Sequence, residues 1–122
     1  MRRALLMAVA LTSAAACGEQ VNPDAPTRML QVTAVDVRIL ESFPPQVHIT
    51  ARGVLPDPCT TVDLVTQSRD GSVITVTIIT RPSATFCIQV LTPLDQNVAL
   101  QGPFSSGTYV VRVNGFEREF RI

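Results

Sequence analysis

Few residues in this sequence have side chains suited to catalysis. The 122 residues include one histidine, His48, three cysteines and ten acidic residues. A Ser-His-Asp hydrolase needs its serine on a sharp turn and a loop whose backbone amides bind the oxyanion. No Gly-x-Ser-x-Gly segment occurs, and His48 stands at a polar position of an alternating segment. The sequence therefore predicts a solvated strand histidine, no catalytic residue and no enzyme activity.

Metal and cofactor sites are also poorly supported. Asp70 and Asp95 fall in predicted turns and could share a weak calcium ion, but the Asp-x-Asp spacing that concentrates oxygen ligands is missing. Turn chemistry accounts for both carboxylates. The six glycines form no phosphate-binding loop. We therefore predict no metal and no cofactor.

The N-terminus has the pattern of an export signal. Arg2 and Arg3 precede an apolar run at residues 4–11, and small residues follow it. Because a bilayer-spanning helix needs about 20 apolar residues, this run is too short to cross a membrane. The pattern predicts that residues 1–16 are a cleaved signal peptide.

The end of this signal indicates a lipid anchor. The residues Ala14-Ala15-Ala16-Cys17 resemble the lipobox of bacterial lipoproteins, although leucine is usual where Ala14 stands. The resemblance implies that the Cys17 thiol takes up diacylglycerol and that Gly18 directs the protein away from the inner membrane. We expect an exported envelope protein, anchored in the outer membrane and facing the periplasm or cell surface. The alternative is an ordinary Ala-x-Ala cleavage site that leaves Cys17 as a plain thiol.

The cysteine count supports the anchor. Three cysteines in an exported protein leave one without a partner. With Cys17 carrying lipid, Cys59 and Cys87 remain, and an oxidising compartment makes a disulfide their default state. We predict the disulfide Cys59–Cys87, which for a loop of about 30 residues contributes about 3–4 kcal/mol. The alternatives, a metal site or a thiol activated by His48, lack further ligands and a third orienting group.

Charge and aromatic content argue against nucleic acid as a partner. Ten arginines balance ten acidic residues, and removal of residues 1–16 leaves eight arginines, so the mature chain is mildly acidic. Tryptophan is absent, and five phenylalanines with one tyrosine are too few for a base-stacking surface. The expected partners are the membrane, through the lipid on Cys17, and an envelope protein.

After a tether at residues 17–28, the chain alternates between apolar and polar residues with the period of strands. Asp70-Gly71 and Asn114-Gly115 are hairpin-turn signals. The sequence predicts an all-β, immunoglobulin-like antiparallel β-sandwich of seven to eight strands over residues 29–122. The predicted strands are residues 35–41, 46–53, 61–69, 72–81, 86–92, 97–101, 108–113 and 116–122.

Reversal of direction at each strand predicts which turns share an end of the sandwich. The turns at residues 54–60, 82–85 and 102–107 should lie together, with both disulfide cysteines and the tether. The turns near residues 44, 70, 95 and 114 should lie at the opposite end.

Two features of the last strands are also informative. Tyr109, after Gly107-Thr108, stands where a tyrosine corner is expected, with its hydroxyl on a nearby carbonyl. The final strand carries alternating charge, which protects an edge strand against aggregation. Its charged residues are Glu117, Arg118, Glu119 and Arg121.

Three stretches resemble a recurrent bacterial secreted or lipoprotein domain that has no assigned activity. They are Gly53-Val54-Leu55-Pro56-Asp57-Pro58-Cys59, Arg81-Pro82 leading to Cys87-Ile88-Gln89, and Gly107-Thr108-Tyr109-Val110-Val111-Arg112-Val113-Asn114-Gly115. The resemblance covers most of residues 35–122. It implies a fold and a compartment but no functional residues.

We therefore expect a lipid-anchored, non-enzymatic binding or structural module of the cell envelope. The alternative function is an envelope protease inhibitor that uses proline-rich loops at residues 56–58 and 93–96.

Overall fold

The structure is a computed structural model, and it describes residues 26–83 and 86–122. The predicted signal peptide (residues 1–16), the predicted lipidation residue Cys17 and most of the predicted tether lie outside the described residues. Arg28, the last residue of that tether, lies in a short strand.

The described part of the chain is all-β, as predicted, and contains eight strands. They are β1 (Arg28–Met29), β2 (Gln31–Leu40), β3 (Gln46–Leu55), β4 (Thr60–Asp70), β5 (Val73–Pro82), β6 (Thr92–Ala99), β7 (Thr108–Val113) and β8 (Phe116–Arg121). Across the residues described, no helix has the length and apolar character needed to cross a bilayer.

The strands form a three-stranded and a five-stranded sheet. The smaller sheet has the order β2-β3-β6, with all its pairs antiparallel. In the larger sheet β4 pairs along one edge of β5, while β7 and β1 share the other edge and β8 follows β7. β7 pairs with β5 at residues 73–76, and β1 pairs with it at Ile79 and Thr80.

One pair departs from the predicted antiparallel arrangement, because β5 and β7 run parallel. The β4–β5 hairpin places its second strand, rather than its first, beside β7. The turns themselves follow the local chemistry. Gly71, at φ 60°, begins the β4–β5 turn, and Asn114-Gly115 forms the β7–β8 turn with both residues at positive φ.

The two sheets enclose a single core. Because strand side chains alternate between faces, the inward-facing side chains of both sheets are mostly apolar and buried, and Thr60 and Thr80 are buried polar side chains among the described residues. The buried apolar residues are Leu30, Val35, Val47, Ile49, Ala51, Leu55, Ile74, Val76, Ile78, Val98, Leu100, Phe104, Tyr109, Val111, Val113 and Phe120.

The prediction of a strand at residues 86–92 is wrong. Residues 86–91 have no regular backbone pairing, and the next strand, β6, begins at Thr92. The predicted turn at residues 93–96 is wrong too, because these residues pair with β3 within β6. Alternating apolar side chains make a stretch suitable for a strand, but a strand also needs a free neighbouring edge.

The missing strand also changes which turns share an end. Among the described residues, Ser83 and Cys87 lie beside the turn at residues 54–60, in the arrangement predicted for this end, but the loop at residues 102–107 lies at the opposite end. There Arg69 donates hydrogen bonds to the carbonyls of Gln101 (3.3 Å) and Pro103 (2.6 Å). The guanidinium of Arg69 also lies 4.9 Å from the centroid of the Phe104 ring. The Asn114 turn, expected at that far end, instead reaches the middle of β5.

Tyr109 forms the predicted corner. Its hydroxyl donates a hydrogen bond of 2.8 Å to the Ser105 carbonyl. Its ring stacks on Phe120, with centroids 5.4 Å apart, and meets Phe104 edge-on at the same distance. Tyr109 is therefore a structural residue of the core.

Candidate binding surface

The predicted disulfide is present at one end of the sandwich. The Cys59 and Cys87 sulfurs are 2.05 Å apart, and the bond joins the turn before β4 to the irregular segment after β5. Asp57 orders that turn, since its Oδ1 accepts hydrogen bonds from the Cys59 amide and the Thr60 hydroxyl, both at 2.9 Å. The Ser83 amide donates to the Cys59 carbonyl at 2.9 Å. The disulfide therefore holds the irregular segment against an ordered turn.

This irregular segment exposes apolar side chains. Residues 86–91, the apolar segment, have the sequence Phe-Cys-Ile-Gln-Val-Leu and carry no charge. Its backbone turns through one hydrogen bond, from the Val90 amide to the Ile88 carbonyl at 3.1 Å. Its four large apolar side chains are more than half exposed: Phe86 93%, Ile88 69%, Val90 54% and Leu91 74%. Contiguous exposed apolar surface of this kind is typical of a binding site.

Beside the apolar segment lies a cleft of about 480 Å³, which we call the disulfide-end cleft. Pro26 and both residues of β1 are part of its wall, so the first described strand of the domain begins here. Met29 is 59% exposed and lines the cleft together with Leu91. The other lining residues are Arg28, Leu30, Gln31, Val54, Leu55, Pro56, Asp57, Thr60, Thr80, Pro82 and Gln89.

Two carboxylates described at this end are engaged within the domain. The Asp57 carboxylate accepts the two hydrogen bonds of the turn. The Asp63 carboxylate forms an ion pair with Arg81 at 3.3 Å. Arg28 is exposed at the cleft, where its backbone carbonyl accepts a hydrogen bond from the Thr80 hydroxyl at 3.0 Å. The surface is therefore apolar with a cation at its rim.

The structure does not assemble a catalytic group around His48. This residue lies in β3 and pairs in register with Arg38 of β2 and Ala99 of β6. It lines a shallow depression on the outer face of the smaller sheet with Arg38 and Asn97. Within residues 26–83 and 86–122, no hydrogen bond or ion pair reaches the imidazole.

Asp70 and Asp95 are not brought together. Asp70 ends β4 in the larger sheet, whereas Asp95 lies within β6 of the smaller sheet, opposite Arg52. The metal-ligating side chains that do cluster in the described part of the chain are Asp57, Cys59 and Cys87. Because the two sulfurs are bonded to each other, this cluster offers no thiolate to a metal.

Only one of the two loops predicted to inhibit a protease is a loop in the structure. Pro93 lies in β6 and pairs with Val54, so residues 93–96 form no loop. Residues 56–58 do form a turn beside the disulfide. The inhibitor hypothesis is left with a single loop.

The charged final strand lies at an edge of its sheet, as predicted. Glu117 pairs with Arg112 of β7 at 2.6 Å. Arg118, Glu119 and Arg121 are exposed.

Sequence reasoning missed the apolar segment because its pattern resembles a strand. Phe86, Ile88 and Val90 alternate with smaller or polar residues, and that spacing normally places three side chains in a core. The signal that could have identified the segment is the alternation at residues 92–99. A strand over those residues leaves too little chain after β5 for a second, separate strand.

Comparison with known proteins gives the family. Residues 49–122 match the ORF11 beta-sandwich domain. A Herpetosiphon aurantiacus protein described as an uncharacterized 10.2 kDa protein in the HgiCIIM 5' region is 33% identical over 86 residues, which are 70% of this chain and 92% of that protein. A second from the same organism, described by the HgiBIM 5' region, is 31% identical over 74 residues, 60% of this chain and 90% of that protein. No solved structure matches the chain significantly. With most of its sandwich covered by that match, this chain belongs to the ORF11 beta-sandwich domain family.

Proposed function

We propose that this protein is a lipid-anchored, non-enzymatic binding module of the cell envelope, held in the outer membrane through Cys17. The observation that carries the binding role is the apolar segment, which the disulfide fixes in an exposed position beside the point where the chain enters the domain. Exposing four large apolar side chains opposes solubility unless a binding partner covers them.

Two features support the compartment and the anchor. A disulfide between Cys59 and Cys87 suits an oxidising environment outside the cytoplasm. Since these two thiols pair with each other, Cys17 is the remaining cysteine, and it directly follows the lipobox-like residues. Export followed by acylation accounts for all three cysteines.

Metabolic labelling with radioactive fatty acid tests the anchor. We expect the wild-type protein to carry the label and the Cys17→Ser variant to lose it. A double variant, Cys59→Ser with Cys87→Ser, is the matched control and should keep the label, because Cys17 is intact. Equal labelling of wild type and Cys17→Ser, or no labelling of either, would refute the anchor.

Cross-linking of the native, membrane-attached protein tests for an envelope protein partner. The protein is cross-linked in intact cells and purified in detergent, and its adducts are identified by mass spectrometry. A recurrent adduct that also forms at native expression level supports a protein partner. Recovery of uncross-linked protein alone argues against one.

A further inference from the structure

We propose that the apolar segment rests in the interfacial layer of a lipid bilayer, so that the disulfide end of the domain faces the membrane. This inference deepens the proposed function and rests on it, because lipid on Cys17 is what brings this end to the bilayer. The occupant of the surface is therefore phospholipid rather than a protein.

The composition of the segment suits this environment. Phe86, Ile88 and Leu91 are each more than two-thirds exposed, and no charged residue lies among residues 86–91. Transfer of such side chains from water to the acyl boundary is favourable, and apolar anchors of this size enter only about 5–10 Å. At that depth the irregular backbone still bonds to headgroups and water, so it needs no partner strand.

The charges around the segment are arranged in the same sense. Arg28, at the rim of the disulfide-end cleft, is placed to meet phosphate groups. The nearby carboxylates of Asp57 and Asp63 are engaged by internal hydrogen bonds and by Arg81. Among the described residues of this end, Arg28 is therefore the cation available to an anionic lipid surface, beside carboxylates that are already hydrogen-bonded or paired.

The position of the chain entry limits how far this end can lie from the anchor. The segment from Cys17 to Pro26 spans at most about 30 Å when fully extended. Pro26 lines the same cleft as Leu91. An acylated Cys17 thus holds the apolar segment within reach of the bilayer, while the turn containing Phe43 lies at the other end of β2 and β3.

Tryptophan fluorescence tests the orientation cleanly, because the chain has no tryptophan of its own. The Phe86→Trp variant reports on the apolar segment. The matched control is Phe43→Trp, since Phe43 is fully exposed at the opposite end. The mature chain beginning at Cys17 is coupled through that thiol to maleimide-bearing phosphatidylethanolamine in phosphatidylglycerol–phosphatidylcholine vesicles, with the Cys59–Cys87 disulfide left intact.

We expect the Phe86→Trp emission to shift to shorter wavelength on vesicles and to be quenched by brominated phosphatidylcholine. The Phe43→Trp emission should do neither. Adding Ile88→Ser and Leu91→Ser to Phe86→Trp should abolish the quenching. These three results support the proposal, provided that the emission of both reporters is that of an exposed tryptophan before vesicles are added.

Three results would overturn it: no quenching of either reporter, equal quenching of both, or a Phe86→Trp emission already shielded in the dilute, monomeric protein before vesicles are added. The last would mean that another part of the chain covers the segment. Because the protein is coupled to lipid chemically, the result of the vesicle experiment does not depend on whether cells acylate Cys17. Failure of fatty-acid labelling and failure of the vesicle experiment are therefore separate results.

Discussion

At the scale of single residues, Asn114 has the most demanding structural role. Its Oδ1 accepts a hydrogen bond from the Ile78 amide at 2.9 Å, and its Nδ2 donates to the carbonyls of Leu30 (2.8 Å) and Ile78 (2.9 Å). These bonds fill the gap along β5 between the residues paired with β7 and those paired with β1. Asn114 thus takes the place of a strand residue.

We predict that Asn114→Gly lowers the free energy of unfolding by about 1–3 kcal/mol, because the partly buried Ile78 amide and Leu30 carbonyl lose the partners that Asn114 supplies. Glycine accepts the positive φ of 50° at this position, so the change isolates the side-chain hydrogen bonds. Urea denaturation measures the effect. Asn97→Ala, which removes one exposed hydrogen bond from Thr50, is the control. Equal stability of the two variants would contradict this role.

Gly53 is required for a different reason, which is close packing. A Cβ placed there would lie 2.7 Å from the Gln31 carbonyl oxygen and 2.8 Å from Leu30 Cγ. We predict that Gly53→Ala destabilises the domain by about 1–3 kcal/mol in thermal or urea unfolding, because backbone must move. At Gly102 the added Cβ would meet nothing closer than 3.6 Å, so Gly102→Ala should cost less. A smaller loss for Gly53→Ala than for Gly102→Ala would show that the strands adjust freely.

At the scale of elements, side chains join the two sheets along their β4 and β6 edges. The side-chain Nε2 of Gln67 donates to the Ala99 carbonyl at 3.0 Å, and its Oε1 accepts from the backbone amide of Gln101 at 2.9 Å. Arg69 continues this contact to Pro103. At the opposite end of β4 the covalent bond between Cys59 and Cys87 secures the crossing from β5 to β6. The chain between β5 and β7 is thus attached to both ends of β4.

We predict that the Cys59→Ser, Cys87→Ser double variant loses about 3–4 kcal/mol of unfolding free energy, since the disulfide closes a loop with a sequence separation of 28 residues. Urea unfolding under non-reducing conditions measures the loss. Cys17→Ser should leave the midpoint unchanged. Reduction of the wild type should reproduce the double variant, and an unchanged midpoint in both would show that the bond adds no stability.

Element by element, the sequence was most informative where one local rule applies. Turn chemistry located both hairpins, and a tyrosine beside a turn identified the corner at Tyr109. The cysteine count led to Cys59–Cys87. The strand prediction for residues 86–92 was wrong because the period of alternation describes how side chains divide between two faces. It says nothing about whether a sheet edge is free. The role of Asn114 beside β5 could not be predicted either, since its hydrogen-bond partners lie far away along the chain.

At the scale of the whole molecule, the two ends of the sandwich differ in character. The disulfide end carries the apolar segment, the cleft and the entry of the chain. The opposite end carries the β2–β3 and β4–β5 turns, with Glu41 and Asp70 flanking them. The domain therefore has a run of exposed apolar side chains at one end and turns flanked by carboxylates at the other.

We predict that Ile88→Ser with Leu91→Ser reduces self-association of the unacylated Cys17→Ser protein while changing the unfolding free energy by less than about 0.5 kcal/mol. Both side chains are exposed, so their loss leaves no cavity. Sedimentation velocity measures association, and urea unfolding checks stability. Phe43→Ser, at the opposite end, should leave association unchanged. A large loss of stability in the double variant would show that the segment packs on the domain.

The sequence by itself determined the all-β class, the two hairpin turns and the pairing of Cys59 with Cys87, because each follows from local periodicity, turn chemistry or a count of thiols. Tertiary structure alone decided that β5 runs parallel to β7, that residues 86–91 remain outside both sheets, and which turns share an end. Those outcomes depend on which strand edges are free once the core has closed. That competition between distant segments leaves no signature in the local order of residues.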